Sequence, residues 1–155
     1  EMRLAEQFEW YYRKNLLEFN RLVVKKEILK KKLVKLWQEK KIDAIIMPPM
    51  PFLAIKNDGT ELIWNQLHYM APSACYDIPA GVVTVTRAKP EHEKLELKYN
   101  DIIDDVLQYQ TQGTAGLPVA IQVMGMAYQD EKILGIMKQI DNIWKFNDKP
   151  ELASI

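Results

Sequence analysis

Leu117-Pro-Val-Ala-Ile-Gln-Val123, closed by Gly125, is followed by Ile133, Ile136, Met137, Ile140, Ile143 and Trp144 at helical spacing. The first run is dense in β-branched and apolar residues and reads as a strand buried on at least one face. The second lays an apolar stripe along a helix from about Asp130 to Phe146, because residues three and four apart share a face. A strand that turns through a glycine into a helix sets the class as α/β, and the chain upstream repeats the alternation. Gly81-Val-Val-Thr-Val-Thr86 reads as a strand. Asp43-Ala-Ile-Ile-Met47 reads as a short strand covered on both faces and ended by Pro48 and Pro49.

The segments between these strands follow from their own signals. Pro51 to Gly59 is loop, ending in the turn sequence Asn57-Asp58-Gly59. Glu61 to Met70 suits a short helix with Leu62, Ile63 and Leu67 inward, stopped by Pro72. Lys89 to Lys98 is a charged loop. Asp101 to Gln110 suits an amphipathic helix with Ile102, Ile103, Val106 and Leu107 inward and acids in its first turn, ended by Gly113 and Gly116. Strands alternating with helices predict a mixed or parallel sheet wrapped by helices.

From Met2 to Lys41 the pattern is helical throughout. Leu4, Phe8, Tyr12, Leu16, Phe19 and Val23 recur at steps of three and four, and Leu29, Leu33 and Leu36 continue the stripe. No Gly or Pro interrupts it, so one long helix or two joined end to end is expected. A basic cluster, Lys25, Lys26, Lys30, Lys31, Lys32 and Lys35, has a solvated face as its ordinary reading. Its sharper reading is contact with an anionic membrane surface or an acidic partner. The chain then divides into 1–41 (helix), 42–146 (strand and helix core) and 147–155 (tail).

Composition narrows the function. The 155 residues hold 21 Lys+Arg against 21 Asp+Glu, so the strong positive field that nucleic-acid binding relies on is missing. One cysteine excludes a disulfide framework, and two histidines, His68 and His92, make a protein-only metal cage a poor expectation. We therefore expect no metal, no cofactor and no nucleic acid. No apolar run is long enough to span a bilayer, and Glu1 to Trp10 lacks the pattern of a secretory signal. An intracellular, cytoplasmic protein is expected, with a membrane-peripheral or organellar setting as the alternative. The start at Glu1 rather than at methionine suggests a piece of something longer.

A search for catalytic groups is nearly empty. There is no Gly-rich phosphate loop and no Gly-x-Ser-x-Gly elbow. The only serines are Ser73 and Ser154. Ser73 with His68 on the preceding turn has the types of a nucleophile and base, but a serine beside a proline is ordinarily a cap or turn residue. Asp77 reads as a turn or cap, and Cys75 as a small buried residue. Asp104 and Asp105 are adjacent on a helix, so they diverge by about 100° and cannot share a proton. No residue qualifies as catalytic.

Three stretches taken in order resemble the C-terminal third of the amidase-signature family, closest to its fatty-acid amide hydrolase branch. Leu36-Trp-Gln leading to Ile42-Asp-Ala-Ile-Ile-Met-Pro-Pro49 is similar to that family's helix followed by an Asp-apolar-apolar-x-Pro strand. Tyr76-Asp-Ile-Pro-Ala-Gly-Val-Val-Thr-Val-Thr86 is similar to its Asp-Phe-Pro-Ala-Gly-Val-Val-Pro-Val-Thr segment. Gly116-Leu-Pro-Val-Ala-Ile-Gln-Val123 with Tyr128-Gln-Asp-Glu-Lys-Ile-Leu134 resembles Gly-Leu-Pro-Val-x-x-Gln-Val with a later Trp-Gln-Glu-Glu and a closing helix.

The resemblance implies hydrolysis of amides or esters through a Ser–cis-Ser–Lys triad that lies in an earlier part of the family's chain. None of that triad is present here. It also implies substrate lining: Trp64, Leu67 and Ala71 would stand along an acyl channel, and Tyr128 where the branch usually has Trp. Trp64 and Leu67 as ordinary core residues are the competing reading. His68, Pro72, Ser73 and Tyr76 depart from the branch's usual residues. The partner expected on this reading is the missing N-terminal amidase portion or a separate protein chain. A lipid amide is the expected substrate, and peripheral membrane contact is compatible with it. The alternative is a non-catalytic, amidase-derived structural or accessory subunit.

Overall fold

A computed structural model of the chain describes residues 15–57, 59, 68–97, 99 and 101–147. The elements are α1 (Leu16–Glu39), β1 (Ile45–Met47), α2 (Ala71–Tyr76), β2 (Ala80–Arg87), a 3₁₀ turn (Pro90–Glu93), α3 (Ile102–Thr111), β3 (Pro118–Met124) and α4 (Asp130–Trp144). They fall into two compact units, Glu1–Ile42 and Asp43–Ile155.

In the first unit α1 forms because both ends are closed by local hydrogen bonds. Asn15 Oδ1 accepts from the Glu18 N–H at 2.9 Å and Glu18 Oε2 accepts from the Asn15 N–H at 3.1 Å, a reciprocal capping box. At the other end Lys41 adopts a left-handed φ of 51°. The Lys41 and Ile42 N–H groups then close on the carbonyls of Gln38 and Trp37, a Schellman arrangement. The predicted continuation of the helix upstream of Asn15 lies outside the described residues. Trp37 is buried at 3% exposure and its indole Nε1 has no hydrogen-bond partner among the described residues. Leu22, Leu29 and Leu36 are all exposed. The ion pair Lys35–Glu39 is exposed on both sides and contributes little. Asn15→Ala removes the side-chain acceptor for the Glu18 N–H, keeps the backbone N–H that meets Glu18 Oε2, and is expected to lower helix stability by about 1 kcal/mol. Far-UV circular dichroism of an α1 peptide checks this; unchanged helicity would show that the first turn is held by something other than Asn15.

Among its described residues the second unit is built on a three-stranded sheet in the order β1-β3-β2. Ile45 pairs with Met124 and Met47 with Gln122, while Ala80 also pairs with Met124 and Arg87 with Pro118. Both ladders are antiparallel, where the helix–strand alternation predicted a mixed or parallel sheet. β1 and β2 do share a direction, but β3 runs between them in the opposite one, so they never pair. A register shift between Thr84 and Thr86 marks a bulge in β2. α4 packs across β2 and β3. Met137 lies against Gly81 and Ile133 against Gly125, so the two glycines admit the helix close to the sheet.

Several expectations need correction. β1 stands at the side of the described sheet, and Ile46 is 56% exposed, so the strand is not covered on both faces. A short apolar run shows that a strand is buried on one face and leaves its other face undecided. In α4, Ile133 is buried but Ile143 and Trp144 are exposed. The apolar stripe runs further than the described surface that covers it. The helix expected over 61–70 lies for the most part outside the described residues; Pro72 itself sits in the first turn of α2, where its missing N–H costs nothing.

The inner face of α3 carries polar groups. Asp104, Gln110 and Thr111 are buried, while of the predicted apolar stripe Ile102 is 79% exposed and Val106 and Leu107 are half-buried. Each buried polar group has a partner, which is why burial is tolerated. Asp104 accepts from the Tyr99 N–H, and Gln110 Oε1 from the Lys56 N–H at 3.1 Å. Thr111 Oγ1 lies at 3.1 Å from the Leu107 carbonyl, and Gln108 Nε2 donates to the Glu93 carbonyl at 2.7 Å. α3 thus acts as a rack on which the loops around residues 56, 93 and 99 are hung. Asp104 is buried and Asp105 exposed, so the adjacent pair does diverge as expected.

Candidate functional site

The sheet has two ends, and the candidate residues divide between them. At one end β1 and β2 begin and β3 finishes, because Ile45, Ala80 and Met124 share one register position. Helix α2 enters β2 there, and the turn carrying Tyr128 leaves β3 there. The Gly125 N–H donates to the Pro79 carbonyl at 2.9 Å, tying the two connections together. Lys132 Nζ meets Asp43 Oδ1 at 2.6 Å, tying the first turn of α4 to the entry of β1.

Ala71 opens α2 and is half-buried. Tyr128 is 97% exposed and holds a left-handed φ of 65°, an unusual conformation for a residue with a bulky side chain. Ala71 and Tyr128 therefore stand at the same end of the sheet, on connections that leave paired strand positions. Trp64 and Leu67 lie outside the described residues.

The nucleophile candidates resolve into structural roles. The Ser73 hydroxyl donates to the Met70 carbonyl at 2.8 Å, a bond of the helix's own first turn. The Ser73 carbonyl accepts from the Asp77 and Ile78 N–H groups, and Asp77 is the left-handed cap of α2. Cys75 is exposed, where a small buried residue was expected. It stands with Ala74 on the exposed side of α2, so its size says nothing of its depth. Among the described residues no group of three or more His, Cys, Asp or Glu can hold a metal ion.

The opposite end of the sheet carries a cavity that the sequence reading did not find. Its volume is about 480 Å³, and its walls come from the Pro48–Ala54 loop, the first residues of β3 (Pro118 to Ala120), Leu95, His92 and Thr111. The volume falls in the range of small-molecule sites, and the lining is mostly apolar. His92 Nδ1 accepts from the Lys89 N–H at 3.2 Å, so the neutral ring carries its proton on Nε2. The neighbouring Glu91 carboxyl is held below its usual range, first by a backbone hydrogen bond and then by the charges of Lys89 and His92. Whatever this exposed group adds to stability is present above the usual carboxylate value and is lost as the pH falls below that value through the lowered one. Three prolines in four residues, Pro48, Pro49 and Pro51, are the one signal in the sequence for this rigid wall.

Comparison with known proteins gives the arrangement a family. The sequence model of the family described as Amidase matches residues 3–134. Fatty-acid amide hydrolase 1 of Sus scrofa is 29% identical over 122 residues, covering 76% of this chain and 21% of that protein. Fatty acid amide hydrolase 1 of Caenorhabditis elegans is 28% identical over 118 residues, covering 74% of this chain and again 21% of the relative. A solved structure named fatty acid amide hydrolase superposes with a TM-score of 0.66 at 20% identity, over 84% of this chain and 24% of that one, a likeness of fold. The chain thus spans about a fifth of the length of the curated relatives it matches. Over most of its length, from the helix before β1 to the first turns of α4, this chain belongs to the amidase family.

Proposed function

We propose that this chain is the C-terminal section of an amidase resembling fatty-acid amide hydrolase, supplying core and substrate-channel wall for hydrolysis of a lipid amide. The Ser–Ser–Lys triad is then supplied by polypeptide outside these residues, either the preceding part of the same protein or a separate chain. The observation that carries this reading is the family match over residues 3–134, a stretch whose one serine, Ser73, gives its hydroxyl to the Met70 carbonyl. In the chemistry the family likeness implies, a serine outside this chain attacks the amide carbonyl and expels the amine, and water then releases the acid. The section described here contributes by holding the alkyl chain. Each methylene removed from water is worth about 0.8 kcal/mol, so a wall of ordinary apolar residues suffices. Of the residues proposed for that wall, Ala71 and Tyr128 are among those described, and their position at one end of the sheet supports the reading. The setting we propose is cytoplasmic, with peripheral membrane contact; among the described residues no helix is long and apolar enough to cross a membrane.

The second reading, a non-catalytic accessory subunit, is favoured by the apolar surface left open. Leu22, Leu29 and Leu36 on α1, and Ile46 and Val82 on the sheet, are all exposed. Such surface is usually covered by a partner. A fluorophosphonate probe separates the readings. These 155 residues alone are expected not to label, and the native polypeptide or assembly that carries them is expected to label at a serine outside them. Labelling of the chain itself, abolished by Ser73→Ala, would overturn both readings. An unlabelled native assembly would leave the accessory subunit as the answer.

A further inference from the structure

Gln122 lies at the middle of β3, between Met47 on one side and Val82 on the other. It is buried at 3% exposure, whereas Val82, its register partner, is 54% exposed. The cover over Gln122 is therefore local. The hydrogen bond identifies part of that cover: Gln122 Nε2 donates to the Tyr69 carbonyl at 3.3 Å. Tyr69 immediately precedes Met70 and Ala71, which begin α2. A buried amide in the middle of a strand is costly unless it is bonded, and an apolar side chain there would satisfy the sheet equally well. Only the donor half of the amide can meet a carbonyl, so the orientation of the group is set by its partner.

We infer that Gln122 is a positioning residue that fixes the segment from Tyr69 through α2 against the sheet, and thereby sets which acyl-chain lengths the wall accepts. The second half of this inference rests on the proposed function. The first half stands on the geometry alone. Helix α2 has six residues and its own backbone bonds are few, with Ala74 N–H reaching the Met70 carbonyl only at 3.5 Å. A helix that short is not stable by itself, so its position must come from what holds its ends. At its C-terminal end the Asp77 cap and the strand β2 serve. At its N-terminal end the tie from Gln122 reaches across from β3.

The test uses the full-length protein with Gln122→Leu, which keeps the volume and removes the donor, and Gln122→Glu, which keeps the shape and replaces the donor with an acceptor. Hydrogen–deuterium exchange over residues 69–78 is expected to rise at least tenfold in both variants while β3 and α4 keep their protection. On lipid amides of increasing chain length, KM is expected to rise about fourfold for each methylene that loses its contact, with short-chain amides and kcat unchanged. Exchange that stays the same, or that rises everywhere together, would overturn the positioning role. Selective exchange with no shift in chain-length preference would retain the tether and refute its part in selectivity. If the unmutated protein hydrolyses no lipid amide at all, the proposed function falls, and the exchange result still decides the tether.

Discussion

Val123→Asp is expected to abolish folding of any polypeptide that carries this chain. Val123 is fully buried, at 0% exposure, on the central strand, opposite Ile46 on β1 and Gly81 on β2. Losing the valine side chain alone removes about 1.5 to 3 kcal/mol of burial. An aspartate in its place must stay charged without a partner or take up a proton, and either adds several kcal/mol more. The sum is comparable to the whole stability of an ordinary domain, roughly 5 to 15 kcal/mol. Soluble yield and the thermal melt of the native assembly check the result. Val123→Thr keeps the shape and buries one hydroxyl, so it should fold with a loss of about 1 to 3 kcal/mol. Wild-type stability in the aspartate variant would mean that β3 is not the centre of the core.

Gly125→Ala carries the second large effect. A methyl group built there lies closer than 3.0 Å to Cγ1 and Cδ1 of Ile133, which is itself buried at 2% exposure. Overpacking of this kind costs about 1 to 3 kcal/mol. Ile133→Ala alone leaves a cavity and should cost about 2 to 5 kcal/mol. The double variant distinguishes steric conflict from a general loss of fit. With Ile133 shortened, the new methyl fills vacated space, so the pair should be less destabilised than the two singles added together, by about 1 kcal/mol or more. Additive losses, measured by denaturant unfolding, would show that the glycine is needed for its backbone rather than for the approach of α4.

Much of this architecture is legible in the chain. β2, β3, α3 and α4 were each expected within a few residues of where they stand, because their periods of two and of 3.6 are strong and their ends carry glycines. The direction of the strands was not legible. The long connection from Arg87 to Pro118 contains a helix, which suggested a crossover, yet α3 spends its inner face on loops instead of crossing the sheet. The polar groups on the inner face of α3 escaped notice because Asp104, Gln110 and Thr111 read as solvent-facing until their partners at residues 56, 99 and 107 are in place. The cavity escaped for a related reason. Its walls come from segments far apart in sequence, and none of them carries a chemical signature by itself. Of the lining residues drawn from the family resemblance, Ala71 and Tyr128 stand at one end of the sheet. Gln122 was visible only as a letter in a motif, since nothing in a sequence tells a buried, bonded glutamine from an exposed one.

The strand order also has a consequence for how the chain acquires its shape. β3 is central in the described sheet but the last of its strands in sequence, so neither β1 nor β2 has a described partner until Met124 has been made. During synthesis, which runs at roughly 5 to 20 residues per second, the two earlier strands wait with unpaired edges while the connection through α3 is still being added. Both ladders then close together on one late segment, a non-local step that favours slow assembly. A nascent chain halted before Pro118 holds two unmated strands, which is the condition under which a chaperone, or a second unfinished chain, finds something to bind.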